Sequence, residues 1–379
     1  MASTDTCTGC AACASVCPTG SISMKEDREG FLQPIIDSKT CIGCHKCEKT
    51  CPIITPIKIP TDFETQAYAA INKDEEVRMR SSSGGMFHAL AKWTIEQGGV
   101  VFGARFNDQW EVVHDYTETI EGIEPFMRSK YVQSRIGDTF KQAKHFLDAG
   151  RQVLFVGTPC QIGGLKAYLK KEYDNLLAVD FICHGVPSPK VWREYLKEAL
   201  HGDTLLDFNF RDKKDGWLNS QCVTTTATTN TRREQQMANV YFRGFLNNVY
   251  LRNSCYNCSF KTTHRISDIT FADAWGIQYF CPEMHDDKGT SAILVHSVRG
   301  KSVFSTLEVG IKIQMIDNTE VSNYNPSLIS SVVLPHRRKA YFCFLNIFGF
   351  SAVQRLINND LFMVRLVLRI KKLFKKLHI

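Results

Sequence analysis

Two copies of one cysteine pattern constrain what this chain can fold into. Cys7-x2-Cys10-x2-Cys13-x3-Cys17-Pro18 recurs as Cys41-x2-Cys44-x2-Cys47-x3-Cys51-Pro52. The x2 spacing puts three thiols on one tight loop around a small metal cluster, and the fourth, before proline, is delivered elsewhere. In paired motifs of this kind the fourth cysteine of each motif ligates the other cluster. That assigns Cys7, Cys10, Cys13 and Cys51 to one [4Fe–4S] cluster and Cys41, Cys44, Cys47 and Cys17 to a second. A pair of zinc sites is the competing reading, although those take CxxC pairs well separated in sequence. Two clusters in series imply transfer of single electrons, and the rest of the chain must be what that wire serves.

Cysteine usage elsewhere agrees with metal rather than disulfides. Eight of the 15 cysteines lie in the first 51 residues, and an odd total does not suit a secreted framework. The segment from Met1 to Thr6 has neither a basic n-region nor an apolar h-region, so no secretory signal is expected. The chain therefore reads as cytoplasmic, with reduced thiols. Its 379 residues allow two or three domains, and 44% hydrophobic with 22% charged residues excludes disorder and low complexity. Of the net charge of +7, six come from Arg365, Arg369, Lys371, Lys372, Lys375 and Lys376, which leaves +1 for the remainder. No nucleic-acid partner is expected on that balance. No apolar run reaches the roughly 18 residues of a spanning helix. The most apolar, Tyr341 to Val353, contains Asn346, Gly349 and Ser351.

The organisation is expected to be a two-cluster module over residues 1–58, a larger α/β domain over 59–335 and a helical basic tail over 336–379. Strand patterns at Gln66–Ile71, Val100–Phe106, Gln152–Val156 and Leu176–Ile182 alternate with helical patterns at Gly84–Gln97, Gly137–Ala149, Pro159–Lys171 and Pro189–Leu200. That alternation predicts parallel pairing. Residues 203–230 read as β-rich, with Thr224 to Thr229 suited to an edge or solvated strand. A helix is expected at Tyr241–Leu251, and strands at Asp268–Ala272 and Ser291–Val298.

Several segments of the larger domain place glycine, hydroxyls or cysteine at strand–helix junctions. Ser81-Ser82-Ser83-Gly84-Gly85 opens a helix, and either holds a phosphate on the helix N-terminus or provides Ser83 as a plain N-cap. Thr158-Pro159 and Ser188-Pro189 are cap and first-turn pairs, which leave Cys160, Cys183 and His184 unexplained. Together with Cys255-x2-Cys258 these give a four-thiolate set: Cys160, Cys183, Cys255 and Cys258. A third [4Fe–4S] cluster, a zinc site, or buried Cys160 and Cys183 acting as small hydrophobes are all open.

Positions 5–54 resemble bacterial two-cluster ferredoxins, an α+β fold. The larger region resembles the coenzyme F420 hydrogenase/dehydrogenase beta-subunit family. The resemblance rests on Ser82–Gly85, Ser129–Ser134, Gly157–Gln161, Cys183-His184-Gly185, Cys255-x2-Cys258 with Phe260-Lys261, Asp268-Ile269, Asp273-x-Trp275-Gly276 and Asp287-x-Gly289-Thr290-Ser291, in the family's order. It implies a flavoprotein binding FAD, with a cluster beside it, passing electrons between clusters and a small-molecule two-electron carrier. Ser82, Ser83, Gly84 and Gly85 would then lie on the FAD diphosphate. Lys130, Tyr131, Gln133 and Ser134 would meet the flavin or ribityl chain, and Thr158 and Pro159 the isoalloxazine edge. Ala274 replaces the family's usual aromatic, a departure expected to alter the substrate pocket.

The expectation is thus an FAD-dependent iron–sulfur oxidoreductase exchanging electrons with a ferredoxin-like partner. The alternatives are a non-catalytic electron-transfer subunit of a larger complex, or a fold that has lost its flavin. No residue is identified as a catalytic acid or base. Residues 361–379 form an amphipathic pattern with Arg365, Arg369, Lys372 and Lys376 on one side. Contact with the inner face of a membrane and packing on protein are both open readings of it.

Overall fold

The computed structural model describes residues 2–60, 62–228 and 230–357. The expected amphipathic helix of residues 361–379 lies outside them.

The N-terminal module holds α1 (Ala12–Val16), the antiparallel hairpin of β1 (Ile22–Glu26) and β2 (Leu32–Ile36), and α2 (Lys46–Lys49). Next come β3 (Gln66–Asn72), α3 (Glu75–Arg80), α4 (Met86–Glu96), β4 (Val100–Phe106), β5 (Val112–Thr117), α5 (Thr139–Asp148) and β6 (Val153–Val156). They are followed by α6 (Pro159–Leu169), β7 (Leu176–Phe181), α7 (Pro189–Ala199), β8 (Leu205–Asp212), β9 (Gln221–Thr226), β10 (Asn230–Gln235) and α8 (Val240–Leu246). The last elements are β11 (Ile269–Asp273), α9 (Ile277–Phe280), β12 (Ser291–Val295), α10 (Val298–Thr306), β13 (Ile311–Ile316), α11 (Asn318–Tyr324) and α12 (Arg338–Ile357).

Eight strands form the main sheet in the order β13-β3-β12-β11-β7-β6-β4-β5. The centre, β4-β6-β7-β11, is parallel as expected, whereas β5, β12, β3 and β13 pair antiparallel. The sheet is therefore mixed. Burial on both faces explains the unbroken apolar runs of the central strands. Val100, Phe102, Val153, Phe155, Leu176 and Ala178 meet α5 and α6 on one face, while Val101, Leu154, Leu177 and Val179 meet α4 and α10 on the other.

Three expectations need correction. The threonine-rich strand β9 is the middle strand of a separate sheet, β10-β9-β8, rather than an edge. Its outer face stays partly exposed, which is why hydroxyls suit it. The helix expected to reach Leu251 ends at Leu246, because Asn248 adopts a left-handed conformation (φ 59°) that asparagine tolerates. Tyr250 then turns back against Gly244, where a Cβ would lie 2.4 Å from its ring. Finally, α12 is long and apolar enough, by length and composition, to resemble a spanning helix. It is broken at Gly349, and Tyr341, Phe342, Leu345, Phe350 and Val353 join Trp192, Tyr195 and Tyr241 in a core.

The N-terminal module is built into the larger domain. Cys10, Ala11 and Ala12 belong to the core formed by α5 and α6, and Phe31 to that of α7 and α12. Arg338, buried on α12, clasps Glu29 of the module through both guanidinium nitrogens and donates to the Leu251 carbonyl. Removing one partner of such a pair leaves a desolvated charge. Glu29→Gln is expected to cost about 2–3 kcal/mol, allowing for the partly exposed carboxylate. Denaturant unfolding of the full chain should show a lower midpoint; an unchanged midpoint would mean the clasp contributes nothing.

Candidate functional site

The eight N-terminal cysteines sit in two different environments. Gly9 (φ 70°) and Ala11 (φ 61°) bend the first loop so that Cys10 is buried and Cys7 and Cys13 half-buried. Burial, with Cys7 and Cys51 nearby, pushes the Cys10 thiol up to about 11; burial with Cys10, Cys7 and Cys51 pushes Cys13 up to about 12. Cys10 and Cys13 thus each feel both Cys7 of their own loop and Cys51 of the second motif. Thiols so desolvated and crowded do not ionise alone, and a cationic metal centre is what lets them do so together. The other four lie at the outside: Cys41 and Cys44 are exposed, Cys17 and Cys47 half-buried.

A third thiol set lies deeper. Thr158 caps α6, accepting from the Gln161 backbone while Gln161 Oε1 accepts from the Thr158 N–H at 2.9 Å. This box holds Cys160 in the first turn. Cys183 follows β7, and Cys255 and Cys258 lie on a short 3-10 turn and its end. All four line one small cavity with Thr8, Arg252, Phe260, Lys261 and Arg265. Burial and the neighbouring thiols push Cys183 and Cys255 up to about 12, and Cys160 higher still. Among the described residues no three His, Cys, Asp or Glu side chains converge as ligands of a single metal ion. Thiolates spaced round a cubane stand farther apart than those on one ion.

That cavity shares the wall Cys183–Val186 with a cleft of about 580 Å³ at the C-terminal ends of the central strands, where open α/β sheets bind ligands. The loop before α4 forms one side. Ser82 Oγ accepts from the Ser129 N–H at 2.8 Å, Ser83 Oγ donates to the Thr290 carbonyl at 2.8 Å, and buried Lys213 donates to the Ser83 carbonyl from behind at 2.7 Å. Ser83 is therefore not the N-cap. That place is taken by Gly85 (φ 83°), which leaves the first turn of α4 without a side-chain cap, facing the cleft.

Of the residues expected to meet a cofactor, Ser82, Ser83, Gly85, Lys130, Tyr131, Ser134 and Thr158 line the cleft, and three do not. Gly84 is set into the sheet, where a Cβ would lie 2.3 Å from the Ala70 carbonyl. Pro159 lines the thiol cavity instead. Gln133 turns away, donating to the Thr8 carbonyl at 3.0 Å and accepting from Arg252 at 3.1 Å. Ala274 is also off the wall, buried in the core between Asp273 and Trp275, which do line it. The departure at Ala274 thus acts behind the pocket.

Other wall residues carry no sequence signal of their own. His114 sits beneath Ser134, its Nδ1 2.9 Å from the Ser134 hydroxyl and its Nε2 donating to the Val156 carbonyl at 3.0 Å; burial pushes it down to about 4, so it is neutral. Arg211 pairs with Asp273 at 2.6 Å beneath Trp275, which stacks on Trp217 with centroids 4.7 Å apart. Phe242 and Phe245 close the far side. Lys130 donates to the Met127 carbonyl at 2.5 Å, and burial, with Arg128 adding, pushes it down to about 7.

The inner thiol set touches α6 at Gly164, where a Cβ would come within 2.8 Å of Cys10 Cβ and 3.0 Å of its Sγ. Gly164→Ala is expected to overpack this seam by about 1–3 kcal/mol and to cost the inner site its iron, about four atoms per chain. Gly310→Ala, where a Cβ would meet only the Leu307 carbonyl at an ordinary 3.8 Å, is the control. Iron and sulfide assays after anaerobic purification decide; parent-like iron in Gly164→Ala would refute the close fit.

Residues 6–53 match the family model described as the 4Fe-4S dicluster domain. Residues 150–320 match the family model for the C terminus of the coenzyme F420 hydrogenase/dehydrogenase beta subunit. No curated protein matches the sequence. Among solved structures, a chain of the F420-reducing [NiFe] hydrogenase complex from Methanosarcina barkeri, studied by xenon derivatization, is similar at 14% identity. The match covers 80% of this chain and 91% of that one, with a TM-score of 0.48. The chain thus joins, in order, a segment similar to the 4Fe-4S dicluster domain and a segment similar to the C terminus of the coenzyme F420 hydrogenase/dehydrogenase beta subunit.

Proposed function

We propose that the chain is an iron–sulfur flavoprotein oxidoreductase that relays single electrons between a ferredoxin-like protein and FAD in the cleft. The observation that carries this reading is the shared wall. Cys183, a member of the third thiol set, and His184 to Val186 border both the thiol cavity and the cleft. Upstream, Cys10 meets Gly164 on α6, and Cys160 feels Cys10 among its neighbouring thiols. The exposed Cys41 and Cys44 face solvent, where a protein partner docks. On this reading electrons pass from the outer set of Cys41, Cys44, Cys47 and Cys17 to Cys7, Cys10, Cys13 and Cys51, and then to Cys160, Cys183, Cys255 and Cys258 beside the cleft.

The cleft's chemistry fits a flavin dinucleotide. The uncapped first turn of α4 and the hydroxyl of Ser82, which accepts from the Ser129 N–H and keeps its own proton free, offer donors to a diphosphate. The long apolar walls of Phe242, Phe245, Tyr131 and Val132 suit a planar ring system. FAD, when bound, supplies the exchange between one-electron carriers and a two-electron small molecule. The chain's own residues bind and orient it: His114 stays neutral under Ser134, and Arg211, held by Asp273, keeps a fixed positive charge at the wall. The substrate class is a small-molecule two-electron carrier, of which coenzyme F420, from which the family takes its name, is one member.

Anaerobic purification with iron, sulfide and flavin analysis tests the reading. About twelve irons and one FAD per chain are expected; about eight irons without flavin would leave only a ferredoxin wire. Flavin without turnover by the isolated chain would favour an electron-transfer subunit.

Lys130 adds a pH dependence. In the free protein it is protonated below about pH 7 and loses its charge above, with Arg128 lowering it and Asp207 and Glu124 opposing. A dianionic cofactor prefers the protonated form, so FAD affinity should fall as pH rises through 7. Lys130→Met should flatten the profile, and an unchanged slope in fluorescence titrations would remove Lys130 from the site.

A further inference from the structure

Among the described residues, five arginines are buried to within 6% exposure: Arg78, Arg211, Arg252, Arg265 and Arg338. Four have a carboxylate partner: Asp286 for Arg78, Asp273 for Arg211, Asp180 for Arg265 and Glu29 for Arg338. Arg252 is the exception. Its Nε donates to the Cys7 carbonyl at 2.7 Å, Nη1 to Gln133 Oε1 at 3.1 Å, and Nη2 to the Leu32 carbonyl at 2.9 Å and Gln33 Oε1 at 3.1 Å. Every one of these acceptors is neutral. Asp27 lies one hydrogen bond further out, bound to Gln33 Nε2 at 3.0 Å.

A buried lysine in this position could shed its proton, but a guanidinium cannot. A desolvated charge with no counter-charge is strongly unfavourable, so the compensation must come from something negative nearby. Two thiol sets flank Arg252. Its side chain reaches Cys7 of the inner N-terminal set, and it lines the cavity of Cys160, Cys183, Cys255 and Cys258. Its backbone ties it to both loops of that cavity: its N–H donates to the Val186 carbonyl at 3.0 Å, and its carbonyl accepts from the Cys255 N–H at 2.9 Å. Gly9 leaves room for it, since a Cβ there would lie 2.8 Å from Nη1.

We infer that Arg252 is the fixed counter-charge shared by these two thiolate-ligated sites, a positioning residue that raises the reduction potential of both. The inference rests on the three-cluster reading above. Thiolates around a cubane leave the site net negative, and each electron taken up adds negative charge, so a fixed cation favours the reduced state. One arginine between two sites lifts both together and keeps transfer between them near balance. The outer site of Cys41, Cys44, Cys47 and Cys17, exposed to solvent, gains little from it.

The test is an EPR-monitored redox titration of the anaerobically reconstituted full chain. Arg252→Gln should lower the two inner midpoint potentials by about 59 mV, a tenfold change for a one-electron couple, and leave the outer one in place. Arg252→Lys, whose ammonium the assembled, negatively charged sites on either side hold protonated, should stay close to the parent. Gln133→Glu retains the arginine but sets a carboxylate beside it, and should lower the same two potentials. It decides the matter if Arg252→Gln assembles poorly. A parent holding about eight irons overturns the three-cluster reading beneath the inference. A parent with about twelve whose inner potentials ignore Arg252→Gln and Gln133→Glu, or fall equally in Arg252→Lys, overturns the inference alone.

Discussion

The close approach of the first cysteine loop to α6 is the constraint on which the rest of this structure depends. Glycine at 163 and 164 removes two side chains from the helix, and Phe260 and Cys10 occupy the space. The seam puts Cys10, Ala11 and Ala12 in the same core as Phe140 and Leu165. A two-cluster module on a flexible linker would have to find its electron acceptor by diffusion. Here it is packed onto the helix that carries Cys160, and the distance between the two thiol sets is set by the core itself.

Electrostatics follow from that packing. Burial raises the thiols of Cys10, Cys13, Cys183 and Cys255, which means none is a thiolate by its own inclination. Positive charge has to arrive for these groups to ionise. The interior supplies some of it as fixed cations near the cavity, Arg252, Lys261 and Arg265. Lys261 is anchored by the Cys183 and Ser327 carbonyls, tying the cavity wall to the segment after α11.

Much of the architecture was legible in the chain. Long apolar runs marked the central parallel strands, because strands buried on both faces have no polar side to show. Cap pairs such as Thr158-Pro159 and Ser188-Pro189 located two helix starts to the residue. What escaped were the antiparallel additions β5 and β13, whose half-exposed patterns resemble loops, and the break at Gly349 inside the helix expected after residue 336. At the cleft, Ser82, Lys130 and Thr158 were readable from motifs. His114 and Arg211 were not, since each is an isolated polar residue in a strand and acquires meaning only from what faces it.

The sequence by itself determined the ligand chemistry: cysteine spacing dictates which thiols can share a loop, and two complete motifs leave little freedom. It also determined which junctions open helices at the sheet's mouth. Only the tertiary structure decided that Cys255 and Cys258 join Cys160 and Cys183 at one cavity, since these residues are up to 98 positions apart. It alone turned Gln133 away from the cleft and toward Arg252, and surrounded that arginine with neutral acceptors. Spacing is a local property of the chain, whereas the balance of buried charge is set by every segment that packs around it.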